Sequence, residues 1–189
     1  MDRTVLLVMD VQRGIVERFT GDGGYLPRLA GAAAAARAAG IPVIYVVVGF
    51  RPGYPEVSAR NKSFSAVASA GRFAAGDPAA EIDPAVAPGD GDLIVTKRRV
   101  SAFAGSDLDV LLRGLGAGTL VLTGIATSGV VLSTLRQAAD LDYGLVVLED
   151  GCLDADPEVH QVLTGKVFPR QADVLTVAQW TARLTPTAG

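Results

Sequence analysis

Cysteine and histidine are almost absent from this chain of 189 residues, which contains one of each. The single cysteine, Cys152, cannot form an intrachain disulfide, which is compatible with a reducing compartment, and we expect a cytoplasmic protein. With His160 as the only imidazole, the sequence offers no His/Cys cluster of the kind that binds zinc. We therefore expect no metal site and no cofactor.

Long apolar runs and dense basic runs are missing as well. No uninterrupted apolar stretch approaches the ~18 residues of a membrane-spanning helix, and the short apolar stretch 5–9 ends in Asp10, unlike a signal peptide. The net charge is −3, and Lys97-Arg98-Arg99 is the only basic triplet. Walker and GxGxxG motifs are absent, which disfavours a nucleotide-binding domain. We expect a small-molecule substrate, and neither a membrane nor a nucleic acid as partner.

Apolar runs alternate with helix-like segments along the whole chain. This alternation predicts one α/β domain over residues 1–189, a three-layer α/β/α sandwich with helices on both faces of a parallel sheet. The long segment 49–90 breaks the pattern, so we expect short helices or a functional loop there. Strands are predicted at 5–9, 43–48, 92–96, 119–123, 144–148 and 173–176, and the main helices at 26–39, 106–115, 128–141, from 156 onward and around 177–184.

Two charged side chains are predicted at the carboxyl ends of strands, where open parallel sheets bind ligands. Asp10 follows a buried run, so its pKa should be raised and suit proton transfer; the alternative is an Asp that caps the next loop. Lys97 ends another strand and can pair with Asp10 or bind an anion, although most strand-end lysines are simply solvated. Gln12 can offer its amide to the same pocket, or can be an ordinary polar loop residue.

The turn 124–129 follows a third strand and opens a helix. Its backbone N–H groups can hold an anion or a developing oxyanion, with Thr127 and Ser128 adding hydroxyls. The alternative is plain capping of the helix by those two residues.

Cys152 is the only thiol, and it is predicted just after a strand. A nucleophilic cysteine needs a nearby base, and His160 is expected on the surface of the next helix without a route to it. We therefore expect Cys152 to be buried as a small apolar group.

Five short segments together resemble the isochorismatase-like, or cysteine hydrolase, family. They are 6–12 (LLVMDVQ), 96–97 (TK), 101–103 (SAF), 124–127 (GIAT) and 150–152 (DGC). The resemblance implies a six-stranded parallel sheet of order 3-2-1-4-5-6 and a homo-oligomer. It also implies a cis peptide bond between Ile125 and Ala126.

The same matching assigns roles to single residues. Asp10 and Lys97 match the acid–base pair, and Val130 stands at the position of the nucleophilic cysteine. Phe103 matches a wall of the pocket. Ala126, Thr127 and Gly129 belong to the turn that contacts the substrate.

Two departures from the family pattern limit the activity that the resemblance implies. Val130 cannot attack a carbonyl, which disfavours thioester-based amide hydrolysis, and segment 49–64 has no histidine for the metal site of nicotinamidases. Isochorismatases also lack the thiol and are thought to protonate a vinyl ether. The interpretation is a hydrolase of a small metabolite, with anionic compounds among the candidates and Arg51 or Arg60 as a carboxylate clamp. The alternative is a non-catalytic small-molecule binder.

Overall fold

The computed structural model describes residues 3–19 and 23–184 of the chain. Six strands form one parallel sheet in the order β3-β2-β1-β4-β5-β6, which confirms the predicted order. The carboxyl ends of all the strands therefore lie along one edge. The strands are β1 Arg3–Met9, β2 Val43–Val48, β3 Leu93–Lys97, β4 Ala117–Ile125, β5 Gly144–Leu153 and β6 Asp173–Leu175.

Helices cover both faces of this sheet, as the alternating pattern predicts. Gly40 has φ 70° just after the second helix, the left-handed conformation that ends helices, and Asp156 accepts a 2.9 Å hydrogen bond from the Glu158 N–H to cap the sixth. In the described part of the chain no helix is long and apolar enough to cross a bilayer. The helices are α1 Arg13–Val16, α2 Tyr25–Ala38, α3 Lys62–Ser69, α4 Leu108–Leu115, α5 Leu132–Asp140, α6 Pro157–Val162 and α7 Val177–Leu184.

Two apolar clusters sandwich the sheet because neighbouring residues of a strand point to opposite faces. Leu7 and Met9 of β1 pack with α4 and α5 on one face, whereas Leu6 and Val8 pack with α2 and α7 on the other. β1 is buried on both faces, which explains its continuous apolar sequence.

The segment between β2 and β3 folds against the carboxyl edge. It contains α3, whose N-cap Asn61 accepts a hydrogen bond from the Phe64 N–H, and two 3-10 turns, Pro78–Ala80 and Pro84–Val86. A third small apolar cluster of Val48, Phe50, Phe64 and Phe73 anchors it. The prediction of short helices in this region is confirmed.

β4 and β5 extend further than the sequence pattern predicts. Their pairing shifts register between Leu122 and Gly124 and then continues to Gly124 opposite Cys152. Cys152 therefore lies inside β5, and the prediction that it follows the strand is wrong. The helix predicted from residue 128 begins as a π-helical turn, Thr127–Val131, and becomes regular at Leu132.

Gly124 allows the close approach of β4 to β1. Its φ is 137°, and a Cβ at this position would lie 2.1 Å from the Met9 carbonyl oxygen. We expect Gly124→Ala to lower the free energy of unfolding by about 3 kcal/mol or more, because it adds backbone strain to overpacking. Urea unfolding followed by circular dichroism measures the loss.

The matched control is Gly31→Ala in α2, where an added Cβ meets no atom within 4 Å. This change should stabilise the protein by about 0.5–1 kcal/mol through helix propensity. Equal unfolding midpoints for the two variants would contradict the assignment of Gly124 as a steric constraint.

Candidate active site

Asp10 and Lys97 form a buried ion pair at the carboxyl edge of the sheet. Asp10 follows β1 and Lys97 ends β3, and because β2 lies between these strands the two side chains meet beyond its last residues. The Lys97 Nζ is 2.9 Å from the Asp10 Oδ2, and the two residues are only 2% and 6% exposed. Lys97 also donates a 3.0 Å hydrogen bond to the Arg99 carbonyl.

The Asp10 carboxyl group is not saturated by its neighbours. Its Oδ1 atom is buried and has no hydrogen-bond partner among the described residues. Burial raises the pKa of Asp10, and the nearby Lys97 ammonium opposes this shift without cancelling it. Asp10 also has φ 57°, a strained backbone conformation that is often found at functional sites. The raised pKa and the unpartnered Oδ1 atom make Asp10 the candidate proton-transfer group of this edge.

The Gln12 side chain is fully buried, and its amide binds only backbone groups. Nε2 donates to the carbonyls of Val48 and Ala80 at 2.9 and 2.8 Å, and Oε1 accepts the Val48 N–H at 2.9 Å. Both amide protons are thus used inside the protein, and the contact between Gln12 and a substrate stays a prediction. Gln12 ties the loop after β1 to the end of β2 and to the segment that covers it.

At least two N–H groups of the turn after β4, those of Ser128 and Gly129, are bonded inside the protein. The Ala126 carbonyl accepts hydrogen bonds from the N–H groups of Gly129 and Val131 at 3.0 and 3.3 Å, and the Ser128 N–H donates to Asp154 Oδ2 at 2.7 Å. This differs from the predicted row of free donors. The Ile125–Ala126 peptide bond is cis, at the position that the family resemblance implies.

Thr127 and His160 contact each other beside this turn. Thr127 is fully buried, and its Oγ1 lies 2.8 Å from the His160 Nδ1. The hydroxyl is therefore directed toward α6, whereas the sequence predicted a contact with the substrate. His160 lies on α6, a helix without buried residues, as predicted, and its partly exposed ring also reaches the turn, which the sequence did not indicate.

Val130 lies in an apolar cluster that also contains Met9 and Val95. Met9 directly precedes Asp10, and Val95 lies two residues before Lys97. Val130 is 2% exposed, so its methyl groups form a closed wall beside the carboxyl edge. The chain's thiol is no substitute: Cys152 is buried, its Sγ lies 3.9 Å from the Leu122 carbonyl, and burial raises its pKa to about 12. Cys152 thus packs as a small apolar group, as predicted.

Two further predicted site residues contact other parts of the protein. The Phe103 ring centroid lies 6.2 Å from that of Tyr143, and Phe103 belongs to the apolar cluster that also contains Val130, so its role as a pocket wall stays a prediction. The Arg51 guanidinium is 2.6 Å from Glu56, and its side chain is 67% exposed. The expected carboxylate clamp at Arg51 therefore already holds a carboxylate of the protein. No contact connects Arg60 with the ion pair in the part of the chain that the structure describes.

Arg98 and Arg99 anchor the long segment that follows β2, a role that the sequence did not indicate. Arg98 Nη1 donates to the Gly49 carbonyl at 2.8 Å, and Arg99 Nη2 donates to the Glu56 carbonyl at 2.7 Å. Arg99 also lies over the Phe64 ring at 6.0 Å. Arg98 and Arg99 therefore connect the end of β3, where Lys97 lies, to the long segment that follows β2.

A cavity of about 400 Å³ lies beyond the ends of β2 and β3. It shares walls with the ion-pair region, because Gln12 binds two of its lining residues, Val48 and Ala80, and Thr96 and Arg98 flank Lys97. Asp10 and Lys97 themselves do not line it. No group of three or more His, Cys, Asp or Glu side chains suited to a metal ion occurs within residues 3–19 and 23–184.

Known proteins resemble this chain along nearly all of its length. The isochorismatase domain model matches residues 4–179. The ureidoacrylate amidohydrolase RutB of Methylobacterium radiotolerans is 36% identical over 82% of this chain and 69% of its own length. The uncharacterized isochorismatase family protein YecD of Escherichia coli O157:H7 is 35% identical over 93% of both chains.

Solved structures show the same likeness. An isochorismatase family protein from Burkholderia thailandensis superposes with a TM-score of 0.83 at 32% identity, covering 96% of this chain and 95% of that one. The N-carbamoylsarcosine amidase of Thermoplasma acidophilum gives a TM-score of 0.69 at 27% identity, covering 93% and 96% of the two chains. On the domain match and these relatives, the chain belongs to the isochorismatase family.

Proposed function

We propose that this protein hydrolyses a small metabolite, with Asp10 as the proton-transfer group and Lys97 as the cation that supports it. Relatives of this chain include proteins named as amidohydrolases, which favours a hydrolytic reaction. The observation that carries the proposal is the buried 2.9 Å ion pair whose second carboxyl oxygen has no partner. Paired titratable groups with a raised carboxyl pKa are typical of acid–base sites.

The proposed reaction needs no covalent intermediate on the protein. In its protonated form Asp10 donates a proton from Oδ1 to the leaving-group atom of the substrate, and a water molecule supplies the hydroxyl group to the cleaved bond. The carboxylate that remains is stabilised by the Lys97 ammonium at 2.9 Å. Proton transfer from the water-derived product then restores Asp10.

Charge does not supply substrate selection in this proposal. The Lys97 ammonium is buried and already donates to Asp10 and to the Arg99 carbonyl, and Arg51 is already paired with Glu56. The substrate is therefore a compound, such as an ether or an amide, whose reacting atom accepts a proton. Its remaining groups must fit the space beside Asp10 and Lys97 at the carboxyl edge of the sheet. Vinyl ethers and ureido compounds both meet this description.

A second candidate function is a binding protein without turnover. The observation that favours it is Val130, whose buried methyl groups stand at the position that the family resemblance gives to the nucleophilic cysteine. Such a protein would be stabilised by a ligand at the Asp10 carboxyl without converting it.

Asp10→Asn tests the proposed chemistry. We expect turnover of a panel of vinyl ethers, ureido compounds and small amides to fall at least about 100-fold, because the amide cannot deliver a proton. Product formation is measured by liquid chromatography, with Asp140→Asn, a change at an exposed position, as the control. Equal turnover by Asp10→Asn and the wild type would contradict the assignment. Thermal stabilisation by one compound without any turnover would favour the binding protein.

The pH dependence of stability tests the state of Asp10. Because its pKa in the folded protein is above the usual 3.8, the folded state binds the proton more tightly, and the stability it contributes is lost as pH rises through the folded-state pKa. Asp10→Asn lacks this titration, so the free energy of unfolding of the variant relative to wild type should increase with pH from about 4 upward, with a slope of at most about 1.4 kcal/mol per pH unit. Urea unfolding at each pH measures both proteins. A relative stability that falls as pH rises would show that the pKa is lowered.

Val130→Cys tests whether the rest of the site is competent for amide hydrolysis. We expect the introduced thiol to give measurable amidase activity, because it enters a site that already holds an acid–base pair. Val131→Cys is the matched control, since it places a buried thiol one residue further along the same turn. A folded Val130→Cys protein with no more activity than the control would mean that this site does not support a thioester route.

A further inference from the structure

The turn that carries Val130 is held from one side by the connection between β5 and α6. Asp154 Oδ2 accepts the Ser128 N–H at 2.7 Å, and His160 Nδ1 lies 2.8 Å from the Thr127 Oγ1. Asp154 Oδ1 also accepts the Asp156 N–H at 3.4 Å, which links it to the start of α6. Two consecutive residues of the turn are therefore bound by a single short segment, 154–160.

Polar contacts dominate this attachment because α6 buries little apolar surface. None of its residues is buried, and Val159 and Val162 are 36% and 41% exposed. Thr127, in contrast, is fully buried, and a buried hydroxyl without a partner destabilises a protein by about 1–3 kcal/mol. The His160 ring supplies that partner, so its loss removes the hydrogen bond of a group that cannot reach water.

Thr127 and Val130 are close neighbours in the same turn. Only two residues separate them, and the Ala126 carbonyl binds the N–H groups of Gly129 and Val131 on either side of Val130. Gly129 has non-helical angles of φ −98° and ψ −105°, so the turn is irregular and depends on its contacts for its shape.

We propose that His160 is a positioning residue of this site: through Thr127, it fixes where the side chain at position 130 stands beside the Asp10–Lys97 pair. Asp154 assists by holding the adjacent Ser128 N–H. The role concerns the geometry of the turn and does not depend on turnover, so it stands or falls separately from the proposed hydrolysis.

Alkylation of a thiol introduced by Val130→Cys measures the position of that side chain without any substrate. Adding His160→Leu should accelerate the reaction of the introduced thiol with iodoacetamide by about fivefold. This factor is equivalent to the ~1 kcal/mol of one hydrogen bond. Cys152 serves as an internal reference in mass spectrometry, since it is buried and its pKa is raised to about 12. Glu158→Gln on the same helix is the control and should leave the rate unchanged.

The partners of the contact separate positioning from a general loss of structure. His160→Asn, which keeps a polar atom near the place of Nδ1, should restore the slow rate. Thr127→Val should reproduce the effect of His160→Leu, and the double variant should react no faster than either single variant, because both remove the same contact. An unchanged rate in His160→Leu, or additive rates in the double variant, would overturn the proposal.

A second measurement leaves His160 itself in place. The chain has a single histidine, so its imidazole gives one unambiguous set of signals in a long-range ¹H–¹⁵N spectrum. Thr127→Val should move the Nδ1 resonance, because the hydrogen bond is lost whichever of the two atoms carries the proton. An Nδ1 resonance at the same position in both proteins would overturn the proposal even if His160→Leu did not fold.

Discussion

The removal of two opposite charges from water is the constraint on which this carboxyl edge depends. Asp10 and Lys97 are almost fully buried, and a buried ion is tolerated only when its partner is held at hydrogen-bond distance. The sheet order provides that distance, because β1 and β3 flank β2 and bring the two residues together beyond its end. The Arg99 carbonyl binds the ammonium from the other side, while the Arg99 guanidinium binds the Glu56 carbonyl of the covering segment. The ion pair, the basic triplet and the long segment after β2 are therefore one connected structure.

Position 130 decides the nucleophilicity of this edge, and burial decides its electrostatics. The Val130 side chain is apolar and belongs to the same cluster as Met9 and Val95, which are close in sequence to the ion pair. Burial is the main cause of the raised Asp10 pKa. A raised carboxyl pKa without a nucleophilic side chain at position 130 fits the proposed reaction, in which water attacks a substrate that Asp10 has activated.

The fold was largely predictable because buried parallel strands have continuous apolar sequences. β2 begins and ends where the pattern of residues 43–48 predicts, and the capping residues Gly40 and Asp156 mark helix ends in the sequence. The nearness of Asp10 and Lys97 followed from the rule that parallel strands end at one edge. The extension of β4 and β5 did not follow, because Gly124 interrupts the apolar run of β4, Glu149 and Asp150 interrupt that of β5, and the pairing resumes only after a register shift.

Side-chain partners at the site were less predictable because they come from distant parts of the chain. Gln12 binds Ala80, which is 68 residues away, and His160 contacts Thr127, which is 33 residues away. No local sequence pattern predicts either contact. Both have the same consequence: a polar group expected to face a ligand is used to shape the protein around it. Among the polar groups predicted for ligand contact, the Asp10 Oδ1 is the buried atom that remains without a partner in the described residues. In the proposed reaction, chemical recognition therefore concentrates on this single carboxyl oxygen, and we expect the shape of the surrounding walls to select among substrates.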